Sequence, residues 1–182
     1  MVSEELPARI AARPVCTKRK LPIPYSVRIL EGGVGDFSRV DSDLVDSCLK
    51  LRLCGVCGQY IEYWIAFIGG PYSAGDKGAY TDPGMHEECA EWSMKLCPFI
   101  SREKVPRRTE EKEPIIDPRV VTVDNQKNAD GWVMLIARSY QLRPAPNSDG
   151  TETMLIIPKG VSRRREFAYV DGKITETTEE RH

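Results

Sequence analysis

The chain has 182 residues, 41% of them hydrophobic, and a formal net charge of −1. That length makes one ordinary domain or two small ones with material for a packed core, and the balanced charge argues against a protein that coats nucleic acid by bulk electrostatics. No apolar run approaches the roughly 20 residues of a membrane helix, and Met1–Pro7 lacks the basic-then-apolar pattern of a signal peptide.

Residues 1–24 are rich in proline and basic side chains, Lys18, Arg19 and Lys20 among them, and read as an extended arm. The basic cluster reads first as solvated and second as a phosphate contact. Cys16 stands in this stretch with no evident partner. Alternation at Tyr25, Val27 and Ile29 predicts a short strand ending at Leu30, stopped by Glu31-Gly32-Gly33. Over Arg39–Leu49, apolar residues at 44, 45, 48 and 49 have helical spacing, with Asp41 or Ser42 as N-cap. Tyr60–Ile68 is aromatic and β-branched and closes at Gly69-Gly70, which predicts a mostly buried strand; a surface platform for bases is the lesser alternative. After a glycine-rich loop and the turn Pro83-Gly84, a helix is expected from His86 to about Cys97, ended by Pro98.

Residues 101–118 mix charges of both signs with proline and read as a linker. The stretch 119–176 reads as an antiparallel meander: Val120–Val123, Trp132–Tyr140, Thr153–Ile157, Glu166–Val170 and Lys173–Thr175. Turns are expected at Asn147–Gly150, at Pro158–Gly160 and at the hairpin pair Asp171-Gly172. Arg163, Arg164 and Arg165 form the densest basic cluster, either a contact for nucleic acid or another partner, or a charged edge that blocks unwanted strand pairing. An acidic tail occupies 177–182.

The chemistry sits in two pairs of ligand-type residues. Cys54-Gly55-Val56-Cys57-Gly58 is a C-x2-C step whose glycines let the backbone wrap an ion, and His86-Glu87-Glu88-Cys89 places its two ligands at i and i+3 on one helix face. Three thiolates and one imidazole are a standard set for structural zinc, and the helix N-terminus favours thiolate at Cys89. Six cysteines in a chain without a signal pattern fit a reducing compartment and metal ligation better than a disulfide framework. Buried free cysteines, a Cys54–Cys57 redox pair, and an iron–sulfur cluster using Cys97 compete with zinc. Cys97 is eight residues past Cys89, about 12 Å along a helix, and is read as a core residue. The expected fold class is α+β: a treble-clef-like zinc-binding half over 25–100, packed with or linked to the small antiparallel meander.

Leu53–Gly58, Ala66–Pro71, His86–Trp92 with Cys97-Pro98-Phe99, the later Arg138-Ser139-Tyr140 and the final Asp171-Gly172 turn together resemble a family of uncharacterised small zinc-finger-like proteins of actinobacterial phages and related mobile elements. The likeness covers about residues 20–176 and departs from the family pattern in the loop from Pro71 to Pro83 and after Pro106. It implies a phage origin, the bacterial cytoplasm, a viral protein of no established activity, and a structural zinc.

Three functions follow as expectations. The first is a non-enzymatic protein that binds a host protein, with an anti-defence or host-takeover role. The second is a zinc-finger nucleic-acid-binding protein using Lys18–Lys20 and Arg163–Arg165. An HNH-like nuclease is third, weakened because the only histidines are His86, spent as a ligand, and His182. A zinc hydrolase needs an open coordination position that four protein ligands do not leave.

Overall fold

A computed structural model describes residues 5–37, 40–76, 78–103, 130–147 and 150–178. Its architecture is α+β, built on an antiparallel sheet in the order β3-β4-β5-β6, where β3 is Ile65–Gly69, β4 Gly131–Pro146, β5 Glu152–Val170 and β6 Lys173–Glu176. The strand next to the cysteine pair therefore joins the strands of the carboxyl-terminal half in one sheet. Phe67 faces Leu135 across the β3–β4 ladder, and Ile65 faces Ala137. One buried cluster accordingly holds Cys54, Cys57 and Cys89 together with Ile65, Phe67, Leu135 and Ile156.

The amino-terminal stretch is folded rather than extended as expected. A short helix, α1 (Ala8–Ala11), buries Ile10, and Val15 bridges Pro22, enclosing Cys16 and Ile23 at no solvent exposure. Prolines at 14, 22 and 24 set φ without preventing burial, because apolar residues lie between them. The strand expected over 25–30 shrinks to β1 (Ile29–Leu30), paired with β2 (Val34–Gly35) across a 3-10 turn at Glu31–Gly33.

The helix anticipated near residue 40 is α2, Ser42–Leu51, capped by the Asp41 carboxylate, which accepts from the Asp43 and Leu44 amides. It ends at Arg52 in the left-handed region, φ 54°. The strand expected over 60–68 is present only as β3; residues 60–64 form an irregular segment with Tyr60, Tyr63 and Trp64 exposed. The helix expected from His86 is α3, Glu87–Leu96, and Pro98 both ends it and opens α4 (Pro98–Ser101).

The turn expected at Pro158–Gly160 is absent. Thr153–Ile157 and Glu166–Val170 are two ends of the single strand β5, which pairs with β4 from Gly131↔Ala168 to Pro146↔Glu152. Gly160, at φ 63°, and an extra residue on β5 opposite Ile136/Ala137 absorb the irregularity as a bulge. The Asp171-Gly172 hairpin forms as expected, both residues at positive φ, and returns as β6. Glu176, the last residue of β6, is ion-paired to Arg165. The linker beyond residue 103, the strand expected at Val120–Val123 and the tail beyond residue 178 lie outside the described residues.

Candidate metal centre

The first pair of ligands comes from a knuckle. The Cys54 amide donates to the Gln59 carbonyl and the Gly58 amide to the Cys54 carbonyl, both at 2.8 Å, and Leu53 bridges Tyr60. This closes a tight reversal between the end of α2 and the segment leading to β3. Gly58 sits at φ +77° with the Tyr25 ring against it, where a Cβ would stand 2.5 Å from a ring carbon. The Gly55 amide donates to the Gly84 carbonyl at 3.0 Å, which draws the turn before α3 against the knuckle.

The second pair comes from the start of α3. His86 is the residue that precedes the first helical turn rather than part of it, with extended dihedrals, and Cys89 is the third residue of the helix. Met85 and Ala66 exchange two backbone hydrogen bonds at 2.8 and 2.9 Å, so the residue before His86 is registered on the open edge of β3.

These two constructions meet. The ligand atoms of Cys54, Cys57, His86 and Cys89 all lie within 4.8 Å of one another, close enough to hold one metal ion. His86 Nδ1 is 3.4 Å from Cys57 Sγ and 4.0 Å from Cys89 Sγ, and the His86 amide donates to Cys54 Sγ at 3.5 Å. On its other side, His86 Nε2 is 3.1 Å from the Tyr60 carbonyl. A carbonyl oxygen only accepts, so Nε2 carries the hydrogen and the Nδ1 lone pair is left pointing at the sulfurs.

The protonation of the three sulfurs is shared. Hydrogen bonds from Cys54 and Cys89 hold the Cys57 thiol far below its ordinary range. Burial raises Cys54, and hydrogen bonds to Cys54 and Cys57, with burial, raise Cys89. Each sulfur must give up its proton to ligate, so metal binding at this cluster would release protons. Trp92 and Val56 pack against the same cluster and limit its contact with water.

The remaining cysteines stay outside the ligand set. Cys48, buried on α2, feels both Cys54 and Cys57, and burial pushes its thiol up to about 12. Cys16 is enclosed in its own small apolar cluster. Cys97 is half-buried at the α3–α4 junction, less enclosed than the core position expected of it.

The basic residues proposed as contacts divide into two groups. Lys18, Arg19 and Lys20 are exposed at the tip of the Val15–Pro22 turn, with Arg19 over the Phe37 ring. Arg163, Arg164 and Arg165 are engaged internally. Arg163 forks the Glu87 carboxylate at 3.0 and 2.6 Å, Arg165 bonds Glu91 at 2.5 Å and forks Glu176, and Arg164 pairs with Glu166 and donates to the Ala74 carbonyl. The arginine run therefore fastens the ligand-bearing helix to the sheet.

Sequence reasoning missed Arg52. Its guanidinium donates to the carbonyls of Ile61, Tyr63 and Arg138, tying the segment after the knuckle to β4. No motif marks it; a non-glycine residue closing a helix in the left-handed region leaves no trace in composition. Among the described residues no helix is long and apolar enough to cross a membrane. No protein-family model, no curated protein and no solved structure matches this chain.

Proposed function

We propose that the four residues hold a structural zinc ion and that the protein is a non-enzymatic binding module folded around it. Tetrahedral zinc with Zn–S of about 2.3 Å and Zn–N of about 2.0 Å places its S···S edges near 3.8 Å and S···N edges near 3.5 Å. The observed S···N separations of 3.4 and 4.0 Å bracket that value. The observation that carries the reading is the His86 hydrogen bond to the Tyr60 carbonyl, which fixes the imidazole tautomer as a ligand requires. The order of knuckle, β3, loop and ligand-bearing α3 is that of a treble clef.

Four protein ligands close the coordination sphere, so the ion supplies folding energy and no position for an activated water. An HNH-like nuclease needs a histidine base beside a second metal, and His86 is committed here. The nucleic-acid reading loses its main contact set, since phosphate would have to compete with Glu87, Glu91 and Glu176 for Arg163 and Arg165. A protein partner is the function we favour, and the sequence resemblance to phage proteins makes a host protein its natural class. Metal analysis of protein purified without added zinc tests the foundation. One zinc per chain, released by a thiol-reactive mercurial, is expected; metal-free folded protein overturns it.

A further inference from the structure

The segment between the knuckle and β3 is the least expected surface of the molecule. Tyr60, Tyr63 and Trp64 are 58%, 63% and 37% exposed, although the run is as apolar as a buried strand. Its backbone is nevertheless held at both ends. The Tyr60 carbonyl accepts from His86, and the Ile61 and Tyr63 carbonyls accept from Arg52. The rings are therefore presented by a fixed scaffold and carry little ordering cost on binding.

Arg138 completes the surface. Its guanidinium lies 5.3 Å from the Tyr63 ring centroid and 5.8 Å from that of Trp64, and the residue is exposed. Lys159, paired across the sheet with the neighbouring Ser139, and Arg143 further along β4 are exposed cations with no acidic partner among the described residues. Glu62 is the one acid in residues 58–64.

Tyrosine, tryptophan and arginine are the residues that dominate protein-binding hot spots. We propose that Tyr60, Tyr63, Trp64 and Arg138 form the docking site for an acidic segment of a partner protein, in which carboxylates flank an apolar side chain. This docking site rests on the zinc-folded binding module proposed above and gives its partner a chemistry. The choice between protein and nucleic acid follows from where Arg138 lies. It already covers faces of both rings, so a stacking base would have to displace it. Its outer N–H edge is free to fork a carboxylate, while the exposed ring edges take up an apolar side chain.

The test uses the full-length, zinc-loaded chain and three fluorescein-labelled probes read by anisotropy. One is a synthetic peptide of glutamate and aspartate with interspersed leucine and tryptophan; the second is its glutamine and asparagine counterpart; the third is oligo-dT. The acidic peptide is expected to bind, more weakly as salt rises, and at least about tenfold more tightly than the neutral one. Arg138→Ala and Trp64→Ala should each weaken it by about tenfold or more, and Arg138→Lys should fail to restore it, while zinc content and melting temperature stay at wild-type values. Equal binding of the two peptides, preference for oligo-dT, no binding of any probe, or an Arg138→Ala variant that binds normally overturns the assignment. A chain that holds one zinc yet ignores the acidic peptide loses only this surface. Absence of zinc removes the underlying reading as well.

Discussion

Replacing Cys57 with serine is the sharpest perturbation of the metal centre. Structural zinc contributes on the order of 10–16 kcal/mol of apparent free energy in small metal-folded units at neutral pH. A domain of this kind is stable by only about 5–15 kcal/mol in all. Loss of a sulfur ligand that forfeits even half of the binding energy, about 5–8 kcal/mol, therefore removes a large share of that margin, and all of it at the lower end. The structure shows where the damage goes. Cys54 and Cys89 have no solvent exposure and belong to the cluster that contains Ile65, Phe67, Leu135 and Ile156. Without the ion, that core retains sulfurs joined only by weak S–H···S contacts. Cys57→Ser, and likewise Cys89→Ser, is expected to yield aggregated or unfolded chain rather than a folded, inactive one. The assay is thermal melting by circular dichroism beside metal content by mass spectrometry, with a strong chelator added to wild type. Chelation should lower the melting temperature, and acidification should assist it, because protons compete for Cys54 and Cys89, whose thiols are raised. A soluble Cys57→Ser chain melting cooperatively at the wild-type temperature would refute the reasoning.

Other substitutions probe what surrounds the site. Phe67→Ala removes a ring that is 1% exposed and packs on Tyr80 and Tyr140, and should cost about 3–5 kcal/mol in urea unfolding of zinc-loaded protein. Gly58→Ala combines a φ of +77° with a Cβ 2.5 Å from the Tyr25 ring, and should cost about 1–3 kcal/mol and weaken zinc retention against a chelator. The Arg165 guanidinium holds the Glu176 carboxyl below its ordinary 4.5, so the pair contributes stability above that pH and loses it as pH falls through the lowered folded-state value. Glu176→Gln should therefore lower the urea midpoint at pH 7 by the equivalent of about 1 kcal/mol or less, the carboxylate being partly exposed, and the difference from wild type should shrink as salt is raised. A difference of the same size at low and at high salt would count against the ion pair.

The features legible in the sequence are those governed by local spacing. The C-x2-C step and the i, i+3 pair announce a common ligand point because a knuckle and a helix turn each fix their own geometry. The α2 cap was readable at Asp41 for the same reason, and the β5–β6 hairpin at Asp171-Gly172. Features set by distant contacts were not. Pro158-Lys159-Gly160 looks like a turn, yet β4 supplies an unbroken partner and the kink becomes a bulge inside one strand. The run Tyr60–Trp64 looks like a buried strand. Its carbonyls are instead claimed by His86 and Arg52, which takes them out of any ladder and leaves the rings outside. Arg163–Arg165 looks like a free basic patch because the acids that meet Arg163 and Arg165 lie 74 to 78 residues away on α3 and 11 residues on at Glu176.

The same contacts explain why the metal centre and the surface beside it form one device. His86 turns Nδ1 to the sulfur cluster and Nε2 to Tyr60, so an imidazole ligating through Nδ1 would also pin the first residue of the aromatic segment. Glu87, the next residue, is forked by Arg163, and Glu91, one turn further along α3, is bonded by Arg165; both arginines lie on β5. Arg52, at the end of α2 just before the knuckle, reaches Tyr63 and Arg138 and so joins the aromatic segment to β4. Each side of the cysteine–histidine cluster is thus one hydrogen bond from an element of the sheet or from the exposed rings. A rigid display of Tyr60, Tyr63 and Trp64 requires His86 to be held in one orientation. The proposed four-ligand ion would hold it there.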